Sequence, residues 1–459
     1  MPTLRVKIAD AGPARLSVKD ATGQHFFPAE ARRYRWGETE YFYCHAEAVV
    51  PVPRARLTVT AARGCGCRVD TRVLSVAQGS RTVVLSPRPI WHEYPPRFRS
   101  LDAHVHGLNR KGPDFALPPG VAPSEVLGEG LDAVCFVDGF EGTHRAARGQ
   151  LLHHAEEYRS NLFGHFLFLG LERPTEHERE NLWGESVAPC CLQHFAAARG
   201  AGALVVAAHP ICTDDFEEHS NWPGGGLNRA LPVWAARGDV DAVMVHSQSD
   251  QGLDSLHLWY QLLNCGFRLP ALAGSDGLLG DEQSPPVGLY RTWTNLPSAA
   301  DLPAWLAAVR SGDTFFGTGP RLHLEMDVVP PDAAFATATV DWPHDITHLQ
   351  LVVDGEVRAE NSEAKLEARL DLPLGWVAAR CFAAGPSPAP EGAYAHTNPL
   401  WLGEVPDALR RDAARQFLQQ LDRLEALAGQ WSGPGDEAGL AALSAVLNEG
   451  RAAFRKLMT

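Results

Sequence analysis

Two imidazoles and a carboxylate alternate along Leu101-Asp102-Ala103-His104-Val105-His106. Side chains change face at each step of an extended strand, so Asp102, His104 and His106 share one side. Neutral imidazole nitrogens and a carboxylate converging on one face suit a divalent metal ion. A strand with two incidentally aligned histidines fits the same six residues, so the motif alone decides nothing. Three groups downstream change the balance. Glu157 and His165 flank a short turn before an apolar run. His209 ends a second apolar run, in Ala207-Ala208-His209-Pro210, and Asp276 ends a third, in Ala273-Gly274-Ser275-Asp276. A glutamate can bridge two metals through its two oxygens, which a neutral histidine cannot. Polar groups at the carboxyl ends of successive parallel strands are how a β/α barrel assembles a site.

The elements that must position these groups are legible as alternating textures. Residues 132–137, 203–207, 241–245 and 269–273 are apolar runs of strand length, the pattern of buried parallel strands. Asp138, His209, His246 and Ser275-Asp276 follow them respectively. With 101–106, 165–171 and 314–316 this gives about seven strands, one short of the usual barrel. The expected organisation has four parts: a small β-sandwich over 1–98, a β/α barrel with the metal site over 99–319, a β segment over 320–403, and a helical hairpin over 404–459. Phe417, Leu421 and Leu424 form one apolar stripe of that hairpin, and Leu440, Leu443 and Leu447 the other. Ser432-Gly433-Pro434-Gly435 breaks them apart.

Bulk properties bound the function. A chain of 459 residues exceeds one ordinary core. Hydrophobic residues are 45% and charged residues 21%, a globular mix. The net charge is -14 and no Lys/Arg run exceeds a pair. Such a chain repels a nucleic-acid backbone or an anionic membrane. The expected partner is therefore a small-molecule substrate, with neither nucleic acid nor membrane; the oligomeric state is not encoded legibly. No signal-peptide pattern and no membrane-length apolar window occurs. None of the nine cysteines forms a CxxC pair. Free thiols and a cytoplasmic location are expected. No GxSxG elbow, Walker loop or GxGxxG run supports a serine hydrolase, nucleotide hydrolase or dinucleotide enzyme.

In order and spacing, the motifs resemble the PHP (polymerase and histidinol phosphatase) superfamily, and within it the CehA/McbA-like branch of metallohydrolases. Asp-x-His-x-His at 102–106, Glu157 with Gly164-His165, His209-Pro210, and Gly274-Ser275-Asp276 carry the resemblance. Gly317-Thr318-Gly319-Pro320 and Ala395-His396-Thr397-Asn398-Pro399 resemble later motifs of the branch. The resemblance implies a distorted (β/α)7 barrel flanked by the β segments and helices, with His396 near the barrel mouth. It also implies two divalent ions, of zinc, manganese or iron. His104, His106, Glu157 and Asp276 hold one; Glu157, His165 and His209 hold the other.

The chain departs from the pattern where Thr-Asp-His is usual, reading Val137-Asp138-Gly139. It departs again where Gly-Ser-Asp-x-His is usual, reading Gly274-Ser275-Asp276-Gly277-Leu278. In three-metal members these missing histidines gather around one metal. Arg110 and Lys111 follow the first motif and either hold an anionic substrate group in that place or form a solvated loop. Asp102 and Asp138 are candidates for orienting a ligand or transferring a proton, and His246 either donates a proton to the leaving group or is structural. The implied activity is a metal-dependent hydrolase, using a metal-bound hydroxide on an ester, carbamate, amide or phosphoester. The rivals are an inactive binding or scaffold protein and a non-hydrolytic enzyme such as a lyase on the same site.

Overall fold

Alternating burial in the N-terminal strands closes a β-sandwich. In the computed structural model the described residues are 2–90, 98–107, 123–139, 142–146, 149–173, 175, 187–211, 228–249, 253–298, 301–329, 332–385, 387 and 389–459. One sheet has the order Glu47–Pro51, Thr3–Ile8, Ser80–Leu85. The other runs Tyr34–Trp36, Thr39–Cys44, Ala14–Asp20, Arg56–Ala62, Asp70–Ser75. Leu4, Val6 and Ile8 from the first meet Leu16, Val18, Leu57 and Val59 from the second in one apolar core. Every second residue faces inward, as the strand period requires.

The rest of the chain is mixed α/β, and its main sheet carries all the strands that bear the candidate ligands. From one end its order is Ala271–Ala273, Ala242–His246, Leu204–Ala208, Gly164–Leu169, Leu151–Ser160, Ala133–Asp138 and Phe98–His106. This ladder departs from the wholly parallel order expected. Gly164–Leu169 pairs antiparallel with both its neighbours. Asn161, Leu162 and Phe163 alone link it to Leu151–Ser160, and so short a link joins only antiparallel strands. Beyond Phe98–His106 the ladder continues through Arg291–Asn295 and Phe315–Gly317 into Ala393–Thr397, Trp376–Ala383, Ile346–Val353 and Glu356–Asn361. The strand expected over 314–316 thus leads away from the ligands. At the other end, Gly277–Leu278 brings the chain back beside Val105 and His106.

The C-terminal helices Asp407–Trp431 and Glu437–Leu457 pack as expected from their stripes. Phe417, Leu421 and Leu424 meet Leu443 and Leu447, together with Val233 and Trp234 of the helix Leu231–Arg237. Leu440 lies partly buried at the edge. The eight described cysteines are free thiols. No helix among the described residues is long and apolar enough to cross a membrane.

His396 is not at a mouth. It is fully buried, stacked on Phe316 with ring centroids 5.4 Å apart. Its Nδ1 donates to the Thr397 carbonyl at 2.6 Å, and its Nε2 accepts from the Tyr260 hydroxyl at 2.5 Å. Burial pushes its pKa down to about 3 despite the Thr397 carbonyl. A folded pKa below the unfolded one means the unfolded chain takes up the proton first. The stabilisation is therefore complete above about pH 6.5 and is lost as pH falls toward 3. Denaturant titrations from pH 7 to 4 are expected to show stability falling by ~1.4 kcal/mol per pH unit for this residue. His396→Gln should flatten that slope; an unchanged slope would remove His396 from the account.

Candidate metal centre

Each candidate ligand sits where a strand ends, and the chain bends sharply at two of them. His104 and His106 close Phe98–His106. Glu157 lies near the end of Leu151–Ser160, and His165 opens the next strand across the hairpin. His209 and Asp276 follow Leu204–Ala208 and Ala271–Ala273 with φ of 29° and 53°. Positive φ is unfavourable for residues with a Cβ, and such strain gathers at functional sites. At Gly274, a Cβ would lie 2.9 Å from both the His104 Cβ and the Met244 Sδ. The turn bearing Asp276 can therefore close on His104 only with glycine there.

These side chains meet in one buried cluster. Glu157 Oε1 lies 2.9 Å from His165 Nδ1 and 3.7 Å from His209 Nε2. Its Oε2 lies 3.5 Å from the Nε2 atoms of both His104 and His106. Asp276 divides the same way: Oδ1 is 3.2 Å from His104 Nε2 and 3.1 Å from His106 Nε2, and Oδ2 is 3.7 Å from His209 Nε2. One oxygen of each carboxylate thus faces His104 and His106; the other faces His165 and His209 for Glu157, and His209 for Asp276.

Surrounding groups fix these orientations. His106 Nδ1 donates to Asp138 Oδ2 at 2.7 Å, which turns Nε2 inward. The Ser249 hydroxyl donates to Asp276 Oδ2 at 2.6 Å. Asn228 Nδ2 donates to the carbonyls of His165 and Ala208, both at 3.0 Å, and so ties together the two strand ends that carry His165 and His209. Asp102 is fully buried and accepts from the backbone N–H groups of His104, Ser275 and Gly288 and from the Ser275 hydroxyl. Burial pushes its pKa up against those bonds. These bonds fasten the His104 strand to the Asp276 turn.

The electrostatics favour donor forms of Glu157, Asp276 and His165, whereas His106 holds a proton that a bound cation would have to displace. Burial raises the pKa of Glu157, but Arg159, His104 and His165 outweigh it and hold the carboxyl well below its usual range. Asp276 is likewise held down, by the charge of His104 and a hydrogen bond from His106, against burial. Burial pushes His165 down to about 4, although Glu157 pulls it up. For His106, burial is outweighed by hydrogen bonds to Asp138 and Asp276, which lift its pKa to about 9.

The structure seats His246 apart from these groups. Its Nε2 meets Glu391 Oε1 at 2.7 Å, and its ring packs on Tyr290 and Tyr394. At 1% exposure, with Nε2 on Glu391, it sits as the structural alternative describes. Arg110 and Lys111 lie outside the described residues. Sequence reasoning passed over Arg159, whose Nε donates to Glu157 Oε2 at 2.7 Å. Strand alternation was the available signal, because residues 157 and 159 share a face. Asn228 and Ser249 gave no such signal, since each reaches the site from a loop.

The donors fit a divalent ion. Ligand atoms of His104, Glu157 and His209 lie within 4.8 Å of one another, as do those of His104, His106 and Asp276. His104 is fully buried, and neither of its ring nitrogens has a hydrogen-bond partner. An imidazole left so is costly, and a cation shared with the nearby carboxylates would remove that cost.

No protein-family model and no curated protein matches the chain. Among solved structures, similarity is found to a lesion-specific endonuclease of Pyrococcus furiosus, PfuEndoQ, with 15% identity and a TM-score of 0.32, over 47% of this chain and 56% of that one. A complex of Endonuclease Q with a 27-mer duplex substrate, an abasic lesion at its active site, matches with 12% identity and a TM-score of 0.27, over 43% and 52%. This chain thus spans about half the length of those proteins. Likeness at this level establishes neither family nor activity. The duplex complex nonetheless corrects the expectation that nucleic acid is excluded as a partner. Net charge sums over the whole surface, whereas bound divalent ions set the local charge of a site.

Proposed function

We propose that the cluster is a dinuclear metal centre and the chain a metal-dependent hydrolase of PHP type. The observation that carries this reading is the division of Glu157 and Asp276, each offering one oxygen to His104 and His106 and the other across the site. Two carboxylates divided in this way would serve two adjacent cation positions. His104, His106, Asp276 and Glu157 Oε2 would hold one ion; Glu157 Oε1, His165, His209 and Asp276 Oδ2 would hold the other. Imidazole and carboxylate donors suit zinc, manganese or iron. Bound there, such a pair supplies Lewis acidity and activates water.

The protein's own groups set the geometry. Asp138 fixes the His106 tautomer, Ser249 pins Asp276, and Asn228 holds the His165 and His209 strand ends in register. Replacing a carboxylate behind a ligating imidazole typically lowers metal affinity 10–100-fold. Asp138→Asn should fall in that range by competition with a chelating dye; a change below about twofold would separate Asp138 from the centre.

The reaction assigned is hydrolysis of a phosphoester, ester, carbamate or amide. Nucleic acid with an abasic lesion belongs among the phosphoesters to be tried. The test compares chelator-treated and metal-reloaded protein on all four bond types and on an abasic duplex, in water enriched in oxygen-18. Metal-dependent turnover with label in the product, absent in His104→Ala, is expected. Metal binding without turnover of any substrate would favour a binding protein, and unlabelled product would point to elimination.

A further inference from the structure

From its place in the cluster, we infer that Arg159 is a resident cation of the centre. Its guanidinium lies beside Glu157 and His106 at the edge of the cluster, and it grips an anionic oxygen of the substrate. This inference rests on the metal reading above. Glu157 and Arg159 point to the same face of Leu151–Ser160. Nε and Nη2 of the guanidinium both reach Glu157 Oε2, at 2.7 and 2.5 Å, and Nη2 lies 3.4 Å from each ring nitrogen of His106. A positive charge is thus already fixed between the bridging carboxylate and one of its imidazoles.

Among the described residues, the same edge offers little to hold another ion. In the ladder His106 is flanked by Asp138 and Leu278, and Gly139 follows Asp138. Leu278 and Gly139 bring no side-chain donor, and Asp138 is engaged with His106 Nδ1. A guanidinium is always charged, so it holds a fixed positive charge at this edge.

Exposure shows which way this edge faces. The side chains of His104, His209 and Glu157 are at most 3% exposed. Arg159, Asp276 and Asp138 are 16%, 17% and 21% exposed. The guanidinium therefore stands on the open side of the cluster. Two divalent ions among three carboxylates leave a single positive charge, and Arg159 doubles it. Such a site selects a substrate with negative charge at the reacting group, as in a phosphoester.

The test titrates Mn2+ into chelator-treated wild type, Arg159→Gln and Arg159→Lys, and then titrates inorganic phosphate into each Mn2+-loaded protein. Circular dichroism checks that each variant is folded. Loss of the nearby cation should tighten Mn2+ binding at least tenfold in Arg159→Gln and weaken phosphate binding at least tenfold. Arg159→Lys keeps the charge without the guanidinium; it should bind Mn2+ like wild type and phosphate with intermediate affinity. Weaker Mn2+ binding by Arg159→Gln would overturn the inference, because the guanidinium would then serve only to hold Glu157. Equal phosphate affinity in all three proteins would overturn the anion grip. Wild type that binds no Mn2+ would sink the metal reading on its own. Phosphate titration of the metal-free proteins would then decide the anion grip, equal affinities again counting against it.

Discussion

Glu157→Gln is expected to strip the centre of metal and abolish hydrolysis. The carboxylate is the one group whose two oxygens meet all four histidines of the cluster. An amide keeps one acceptor oxygen and places an N–H donor where the second cation would sit. The substitution therefore disables both positions at once. It also leaves the part-buried Arg159 without its carboxylate, which costs about 3–5 kcal/mol where the charge is fully buried and less at 16% exposure. Removing a ligand should exceed the 10–100-fold cost of altering a group behind one. The expected loss of metal affinity is thus more than ~100-fold at one position and measurable at the other. Equilibrium dialysis followed by elemental mass spectrometry reads both, with a melting curve to confirm folding. Wild-type metal content in Glu157→Gln would mean that the carboxylate bridges nothing.

Gly164→Ala should be the most damaging small substitution near the site. Gly164 has φ of +105°, and a Cβ there would lie 1.3 Å from Asn228 Oδ1 and 2.5 Å from the Asn228 Cα. The nearest atom belongs to a side chain, but the Cα cannot swing away. Asn228 would have to withdraw, taking with it its hydrogen bonds to the His165 and Ala208 carbonyls. Each carbonyl left buried and unsatisfied costs about 1–3 kcal/mol. With the backbone strain added, the expected destabilisation is about 4 kcal/mol or more. Urea unfolding should show a much lower midpoint at an unchanged slope. Any folded fraction should bind metal poorly, because His165 and His209 are no longer tied together. A loss below about 1 kcal/mol would show that Asn228 adjusts freely and does not tie the strands.

The candidate ligands were legible where local geometry fixes them. His104 and His106 follow from the two-residue strand period, and Glu157 with His165 follows from a short turn, which proves to be a hairpin that sets them 2.9 Å apart. Topology was less legible. Leu151–Ser160 reads as polar, with His153, His154, Glu156 and Glu157 in a row, yet it is almost wholly buried. Tertiary partners make that possible: Thr143 hydrogen-bonds His153, and Thr175 donates to Glu156. Without that strand the sheet reads as parallel throughout. His209 and His246 look alike in sequence, each ending an apolar strand. Only His209 turns into the cluster, through a backbone angle that the neighbouring residues do not announce. Asp102 shares a face with His104, but deeper along the strand it meets backbone N–H groups.

The central claim is that this cluster holds two divalent ions, and metal content per chain tests it most directly. Protein purified without chelator or metal-affinity resin would be analysed by elemental mass spectrometry, before and after incubation with zinc, manganese or iron. The account predicts about two ions per wild-type chain and a loss of at least one in His104→Ala. A wild-type chain that holds no ion after incubation with all three metals would contradict it.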